Sequence, residues 1–298
     1  MKIWICGSQG MLGQHCLALL QKKQVPYVTS DVDTVDITDL SQVLDFMQKH
    51  AVSHILNCAA YTSVDQAESE ACRAYAVNAK GPKQLAVAAK KSGAYLLHFS
   101  TDYVFDGKSS HPYKEADSCN PINAYGISKR AGEIKILDTH TKSCIIRTSW
   151  LFGGNQAHFV EKMLRLLQER DTLSVVQDQI GSPTYCVDLA EAAYTLLLQE
   201  RTGFFHFSNQ GTTSWFAFAK EIFDQARALG WHFRCQSLQP ILTSQYPTPA
   251  QRPSYSCLDT SKIAHILKTP LRSWKEALAD YLNGHESMLP LHTKACVL

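Results

Sequence analysis

Short apolar runs alternate with helical periodicities through the first half of the chain. Lys2–Cys6, Pro26–Ser30, Ser53–Ala60, Ala94–Ser100 and Ser143–Trp150 read as strands. Between them, Met11–Gln21, Leu40–His50, Glu70–Ser92 and Ala124–Thr139 read as helices. In the second of these, Leu40, Val43, Leu44 and Met47 recur at helical spacing. The strands lack a polar face, so each must be covered on both sides. Strands of that kind, separated by helices, predict an α/β fold: a Rossmann-type, doubly wound parallel sheet.

The pattern changes after about residue 150. Ala157–Gln168, Val187–Glu200 and Ser214–Leu229 read as helices and Phe204–Ser208 as a short strand. Prolines then interrupt the chain at Tyr246-Pro-Thr-Pro249 and Arg252-Pro253. Proline removes a donor and fixes φ, so these stretches are expected to be loops. The expected division is 1–152, with parts of the C-terminal half returning to the sheet, for the dinucleotide-binding domain. A smaller substrate-binding lobe is expected mainly over 153–283. Residues 284–298 show no period and are expected to form a disordered tail.

Composition narrows the class. Hydrophobic residues make up 45% and charged residues 19% of 298 positions, enough for a sizeable core. The formal charge of +2 gives no reason to expect nucleic acid or a membrane surface as partner. No run approaches the ~18 apolar residues of a membrane span. The N-terminal Met-Lys-Ile-Trp reads as the start of a strand, not as a signal peptide. Ten cysteines are dispersed without a C-x-x-C pair, and Cys6, Cys58 and Cys144 fall in apolar strands. Dispersed thiols of this kind predict a cytoplasmic, reducing location. The ending Ala-Cys-Val-Leu is not a prenylation box, because its cysteine stands third from the end. No His, Asp or Glu spacing suggests a metal.

Gly7-Ser8-Gln9-Gly10-Met11-Leu12-Gly13 follows the first strand and opens the first helix. The glycines permit a tight turn and a close backbone approach to a pyrophosphate, and the helix N-terminus offers free N–H groups. The spacing is G-x-x-G-x-x-G. Asp31, ending the second strand, can accept hydrogen bonds from an adenosine ribose, or serve only as a turn residue. No arginine stands beside it to pair with a 2′-phosphate, so the cofactor expected is NADH, or either NADH or NADPH. Asp36-Ile37 and Asn57-Cys58-Ala59-Ala60 fall on the same sheet edge, where an adenine can lie.

Tyr125 and Lys129 stand four apart, on one face of a helix. A phenol titrates near pH ~10, and an ammonium beside it favours the phenolate. Such a pair can exchange a proton with an alcohol or alkoxide. By itself the spacing is also what a surface pair shows by chance.

Together these segments resemble the extended short-chain dehydrogenase/reductase family, and within it the dTDP-4-dehydrorhamnose reductases. The resemblance rests on Gly7–Gly13, Asn57–Glu68, Ser100-Thr-Asp-Tyr-Val-Phe105 and Tyr125–Lys129. It continues through Arg147-Thr-Ser-Trp150, Asp178–Thr184 and Tyr246–Pro253, so the matching segments span most of residues 1–283. The first and fourth are generic, whereas Ser-Thr-Asp-Tyr-Val-Phe, Arg-Thr-Ser-Trp and Tyr-Pro-Thr-Pro-Ala-x-Arg-Pro are more specific. The resemblance implies a catalytic set of Thr101, Tyr125 and Lys129. Tyr125 would donate the proton, Thr101 would bond the substrate's keto oxygen, and Lys129 would hold the nicotinamide ribose and lower the tyrosine pKa. Val64, Asp102, Tyr103 and Trp150 would line a sugar pocket. Arg252 would face the diphosphate of a dTDP-sugar. A monomer or homodimer is implied.

Structural readings stand beside these. Trp150 fits a core aromatic and Asp102 a turn cap. Asp65 and Glu68 fit helix N-terminal acids, and His98 fits a packed strand histidine. Some family members join a dimer through Mg²⁺ and glutamates; this chain has Gln14-His15 at one such place, so no metal is carried over. A nucleotide-sugar epimerase or dehydratase, and a non-catalytic regulatory subunit of methionine adenosyltransferase, are the alternatives.

Overall fold

Six strands form the parallel sheet that the apolar runs predict: β1 (Ile3–Cys6), β2 (Tyr27–Ser30), β3 (His54–Asn57), β4 (Tyr95–Thr101), β5 (Ser143–Thr148) and β6 (Gly203–Phe207). Their order is β6-β5-β4-β3-β1-β2, and every neighbouring pair is parallel. The computed structural model describes residues 1–154 and 156–284. Of the expected tail 284–298, Gly284 instead ends the helix Trp274–Gly284, and residues 285–298 lie outside the described residues. Among those described, no helix is long and apolar enough to cross a membrane.

The strands serve both faces by simple alternation. Ile3, Ile5, Leu56, Leu97, Phe99 and Ile146 pack with α1 (Met11–Lys22) and the helix Cys186–Leu198. Trp4, Ile55, Leu96 and Ile145 pack on the other face against α2 (Leu40–His50) and α3 (Gly81–Ser92). The chain reverses direction across the sheet between β1 and β3. That switch point opens a crevice outside the strand ends, where ligands of this fold class bind.

The expected helix Glu70–Ser92 is broken. Ala71–Tyr75 passes into a π-helical turn, Ala76–Lys80, before α3 begins. Pro82 has no N–H to offer Asn78, and Gly81 donates instead to Ala76, five residues back. Strand β3 also stops at Asn57, three residues before the expected end, leaving Cys58–Ala60 to line the crevice.

The later residues form a second layer. Phe152, Val160, Leu164, Phe218, Ile222, Trp274 and Leu278 make its core. Thr172–Val176 pairs in parallel with Ser237–Ile241, where Pro240 is tolerated in a two-stranded ribbon. No element is expected from the sequence at Trp274–Gly284, yet this is a helix with Trp274, Ala277, Leu278, Tyr281 and Leu282 buried at helical spacing.

Candidate active site and cofactor crevice

Gly7 leaves β1 at φ +74°, in the left-handed region that favours glycine. A Cβ on Gly13 would lie 2.1 Å from the Gly7 carbonyl oxygen, so only glycine lets the helix approach the turn this closely. Gly10 caps α1 without a side-chain bond, and the first turn carries no acidic residue. The first N–H groups of α1 therefore remain available to an anion.

Beside this turn lies a crevice of about 310 Å³, lined by Gly7, Gly10, Asp31, Asp36, Ile37 and Cys58–Ala60, among others. Asp31 Oδ2 accepts from Ser8 Oγ at 2.8 Å and from the Gln9 N–H at 2.9 Å, so the carboxylate also braces the glycine turn. Asp36 accepts from the Thr38 N–H at 2.8 Å. Leu12 is buried in the core, which leaves its backbone rather than its side chain for a ligand. Met11 is half-buried against the same core and Gln9 is exposed. The crevice is also lined by Tyr61, Arg73 and Val77, which sequence reasoning missed. Their signal lies in the fold, because they are brought in by the broken helix and the loop before it. The unfilled space at the glycines and the free helix terminus suit a dinucleotide.

At the same sheet edge stand the proposed reacting groups. Thr101 is the last residue of β4; its hydroxyl donates to Asp102 Oδ1 at 3.0 Å and accepts from the Tyr103 N–H at 3.1 Å. Tyr125 and Lys129 lie on α4 (Ala124–Thr139). Asn123 caps this helix through Gly126 N–H at 2.8 Å, and Glu68 accepts from the Ala124 N–H at 2.8 Å. Glu68 thus steadies the N-terminus of the tyrosine helix as well as its own. Asn78, on the π-helical turn, bonds the Tyr61 backbone and Ser128 Oγ, tying the crevice loop to α4.

The face that α4 turns inward is polar. Ser128, Lys129 and Glu133 are buried along it. Glu133 forms a two-point pair with Arg147 at 2.8 and 2.9 Å and bonds Arg130 at 2.8 Å. Arg147 of the Arg-Thr-Ser-Trp segment is thereby a support beneath the site. Its guanidinium lies 4.3 Å from the centre of the Phe204 ring.

One electrostatic expectation is corrected. Burial pushes the Tyr125 phenol up to about 12; the Thr101 hydroxyl draws it down and the Asp102 charge raises it further. Lys129 is not among these influences. Its Nζ donates to the Phe99 carbonyl at 2.6 Å and lies 3.3 Å from His98 Nε2. Burial brings the lysine down to about 8, opposed by Glu133 and Cys58. Desolvation therefore outweighs the tuning expected from a four-residue spacing. Burial likewise raises Asp102 to about 6, with Ser256 and Thr101 opposing.

Tyr103 sits edge-on to Tyr125, ring centres 5.9 Å apart. Val64 is half-buried just before the short helix Gln66–Ser69. Trp150 lies beyond the end of β5 at φ +47°, stacked on Trp215 at 3.5 Å. Arg252 Nη2 meets Asp65 Oδ2 at 2.9 Å, and Asp65 also accepts from the Ala250 N–H at 3.2 Å. Asp65 is thus a clasp between the proline-rich segment and the Rossmann half, and makes no side-chain cap bond on its own helix.

The RmlD substrate binding domain pattern matches residues 1–287. The chain belongs to that family. It is 41% identical over 286 residues to the dTDP-4-dehydrorhamnose reductase of Aggregatibacter actinomycetemcomitans, covering 94% of this chain and 97% of that one. It is 37% identical over 287 residues to a dTDP-4-keto-6-deoxy-D-glucose reductase of Streptomyces niveus, covering 95% and 98% of the two chains. The crystal structure of the Bacillus anthracis dTDP-4-dehydrorhamnose reductase in complex with NADP superposes with a TM-score of 0.89 at 39% identity, covering 95% and 99% of the chains. Members of this RmlD family thus share the fold across nearly the whole of this chain.

Proposed function

We propose that this chain reduces the C4 ketone of dTDP-4-dehydro-β-L-rhamnose to dTDP-β-L-rhamnose, the last step of dTDP-L-rhamnose biosynthesis, with NADPH or NADH. One observation carries the reading: the Tyr125 phenol stands within hydrogen-bonding reach of the Thr101 hydroxyl at the end of β4, with Lys129 buried one turn further along the tyrosine helix. A bound reduced nicotinamide supplies the hydride. Tyr125 is the proton donor to the C4 oxygen, since a phenol held near 12 keeps its proton at neutral pH. Thr101 orients that oxygen by turning its hydroxyl proton from Asp102 to it. Lys129 holds the cofactor ribose. Gly7–Gly13, Asp31, Asp36-Ile37 and Cys58–Ala60 take the dinucleotide.

In this reading Val64, Asp102, Tyr103 and Trp150 surround the sugar, and Arg252 faces the diphosphate with its planar fork. Its pairing with Asp65 holds the proline-rich segment over the site. We divide the chain at about 152/153 into cofactor and substrate parts. We place it in the cytoplasm as a monomer or homodimer with no nucleic-acid or membrane partner.

The test supplies dTDP-4-dehydro-6-deoxy-glucose with and without its 3,5-epimerase and follows NADH and NADPH separately. Stoichiometric oxidation that requires the epimerase is expected. Oxidation without it favours the sugar named for the Streptomyces niveus relative. Sugar conversion with no net cofactor loss points to an epimerase or dehydratase. No oxidation with either cofactor sinks the reading, and capture of a methionine adenosyltransferase in that case favours a regulatory subunit.

A further inference from the structure

The segment Asp178–Thr184 has no part in the reaction above, yet two walls of the site are tied to it. The Thr184 N–H donates to the Trp150 carbonyl at 3.1 Å, and Ser149 Oγ donates to the Ser182 carbonyl at 2.7 Å. On the other side, the Ile180 N–H donates to the Ser254 carbonyl and the Ser256 N–H to the Ile180 carbonyl, both at 2.8 Å, just after Arg252. Between these ties stands Gly181, buried and paired with Thr213 in a short antiparallel ribbon. Its φ is not in the left-handed region, so the backbone does not demand glycine here. The demand comes from Trp150. A Cβ on Gly181 would lie 2.5 Å from Cε2, 2.6 Å from Cζ2 and 2.7 Å from Nε1 of that indole, inside van der Waals contact. Trp215 covers the indole from another direction, with ring centres 3.5 Å apart and 9° between the planes. Trp215 is itself fixed. It begins the helix Trp215–Ala228, capped by Ser214 Oγ, which accepts from the Ala217 N–H at 3.1 Å. It also rests on Phe159, ring centres 4.5 Å apart. Trp150 meanwhile holds φ +47°, a conformation that a bulky residue keeps only where its surroundings enforce it.

We propose that Gly181 and Trp215 form a slot that fixes the Trp150 indole as a rigid wall of the sugar pocket, and that both are positioning residues for the sugar of the nucleotide substrate. The contact with the sugar rests on the reading of Trp150 given above; the slot does not. The indole is half-buried, and what remains of it is flat and apolar. Such a surface fits the C–H bonds and the methyl group of a 6-deoxy sugar. Because the ring is ordered before the ligand arrives, binding is spared the entropy of ordering it. The slot also explains the glycine in Asp178–Thr184: the missing side chain is the space that the indole occupies.

Circular dichroism and ligand titration test it, and neither needs turnover. Two parallel indoles this close give an exciton-split signal. It is expected in the wild type, lost in Trp215→Leu and altered in Gly181→Ala, whose methyl must displace the indole. Both variants are expected to weaken binding of dTDP-β-L-rhamnose about 3–10-fold, the worth of one aromatic contact. Binding of dTDP, which lacks the sugar, should stay within about twofold. Trp215→Phe keeps a ring and should recover most of the loss. In a Trp150→Ala background, Gly181→Ala should have no further effect, because its methyl then meets no indole. Equal losses for dTDP and its sugar, unchanged binding of both, or a Gly181→Ala effect that survives without Trp150 overturns the proposal. If Trp215→Leu does not fold, Trp215→Phe and the Gly181→Ala comparison decide. A wild-type protein that shows the split signal but binds neither dTDP nor dTDP-β-L-rhamnose removes the proposed function and the sugar contact with it, and leaves the slot standing.

Discussion

The two sides of the site are built from different materials. The crevice side is mostly main chain: glycines at a tight turn, helix N–H groups, and Cys58–Ala60 left outside β3. The reaction side is mostly buried side chains already bonded to one another: Thr101 to Asp102, Lys129 to Phe99 and His98, Glu133 to Arg147. A main-chain cradle depends on shape, so small additions of volume break it. A side-chain network depends on charge and protons, so isosteric changes break it while the shape survives.

Tyr125→Phe is the sharpest test of that difference. It removes one hydroxyl and no volume from the cradle. Turnover is expected to fall ~10²–10⁴-fold, the range for loss of a general acid. The cofactor dissociation constant should stay within about twofold in a fluorescence titration. A comparable loss of cofactor binding would show that the two sides are not separable. Gly13→Val is the converse. Its first added carbon would sit 2.1 Å from the Gly7 oxygen, which is backbone and can move only by opening the turn. An overpacking cost of ~1–3 kcal/mol corresponds to about 10–100-fold weaker cofactor binding. Turnover at saturating cofactor should change far less.

The same contrast explains what could be read from the sequence. The crevice was legible because its signal is local: a strand, three glycines and a helix in one short run. Tyr125 and Lys129 were legible as a pair for the same reason. The direction of their tuning was not, because it depends on burial, which the spacing along the helix does not show. His98 reads as a packed histidine among Tyr95–Phe99, and packed it is. Its partner Asn57 is 41 residues away in sequence and is set beside it only by the strand register. Asp65 is similar: its place near a helix start is local, whereas its clasp with Arg252 spans the chain. The helix Trp274–Gly284 is a different case, since its apolar spacing is plain once looked for; the proline-rich segments before it drew the expectation toward loops.

Asp102 sharpens the reaction side further, through stability. Its carboxyl is held up to about 6 by burial, from an ordinary value near ~4. Between those values the folded chain binds more protons than the unfolded one, so this group's contribution falls as pH rises through the window. Above about pH 6 the full cost of the buried charge is present; below about pH 4 it is gone. Asp102→Asn keeps an acceptor for the Thr101 hydroxyl and removes the charge. It is expected to gain on the order of 1–3 kcal/mol relative to wild type at pH 8, and nothing at pH 4. Urea unfolding at the two pH values checks this, and an equal effect at both would deny that the site holds a costly charge.

Arg252 is where the two materials meet, and its effect should be the smallest. The guanidinium comes from the proline-rich segment and pairs with Asp65 on the Rossmann half. If it also reads a diphosphate, its planar fork matters more than its charge, because one edge must hold Asp65 while another faces the ligand. Lysine keeps the charge and loses the fork. Arg252→Lys should therefore raise KM for the nucleotide sugar about 10-fold, roughly one lost charge-assisted bond, with kcat changed less than threefold. The Asp65→Asn variant separates the two duties. It frees the arginine for the ligand but loosens the segment that carries it. A raised KM in Arg252→Lys with an unchanged KM in Asp65→Asn would assign the arginine to the ligand. Equal increases in both would instead make it a hinge pin, with the diphosphate held by other groups.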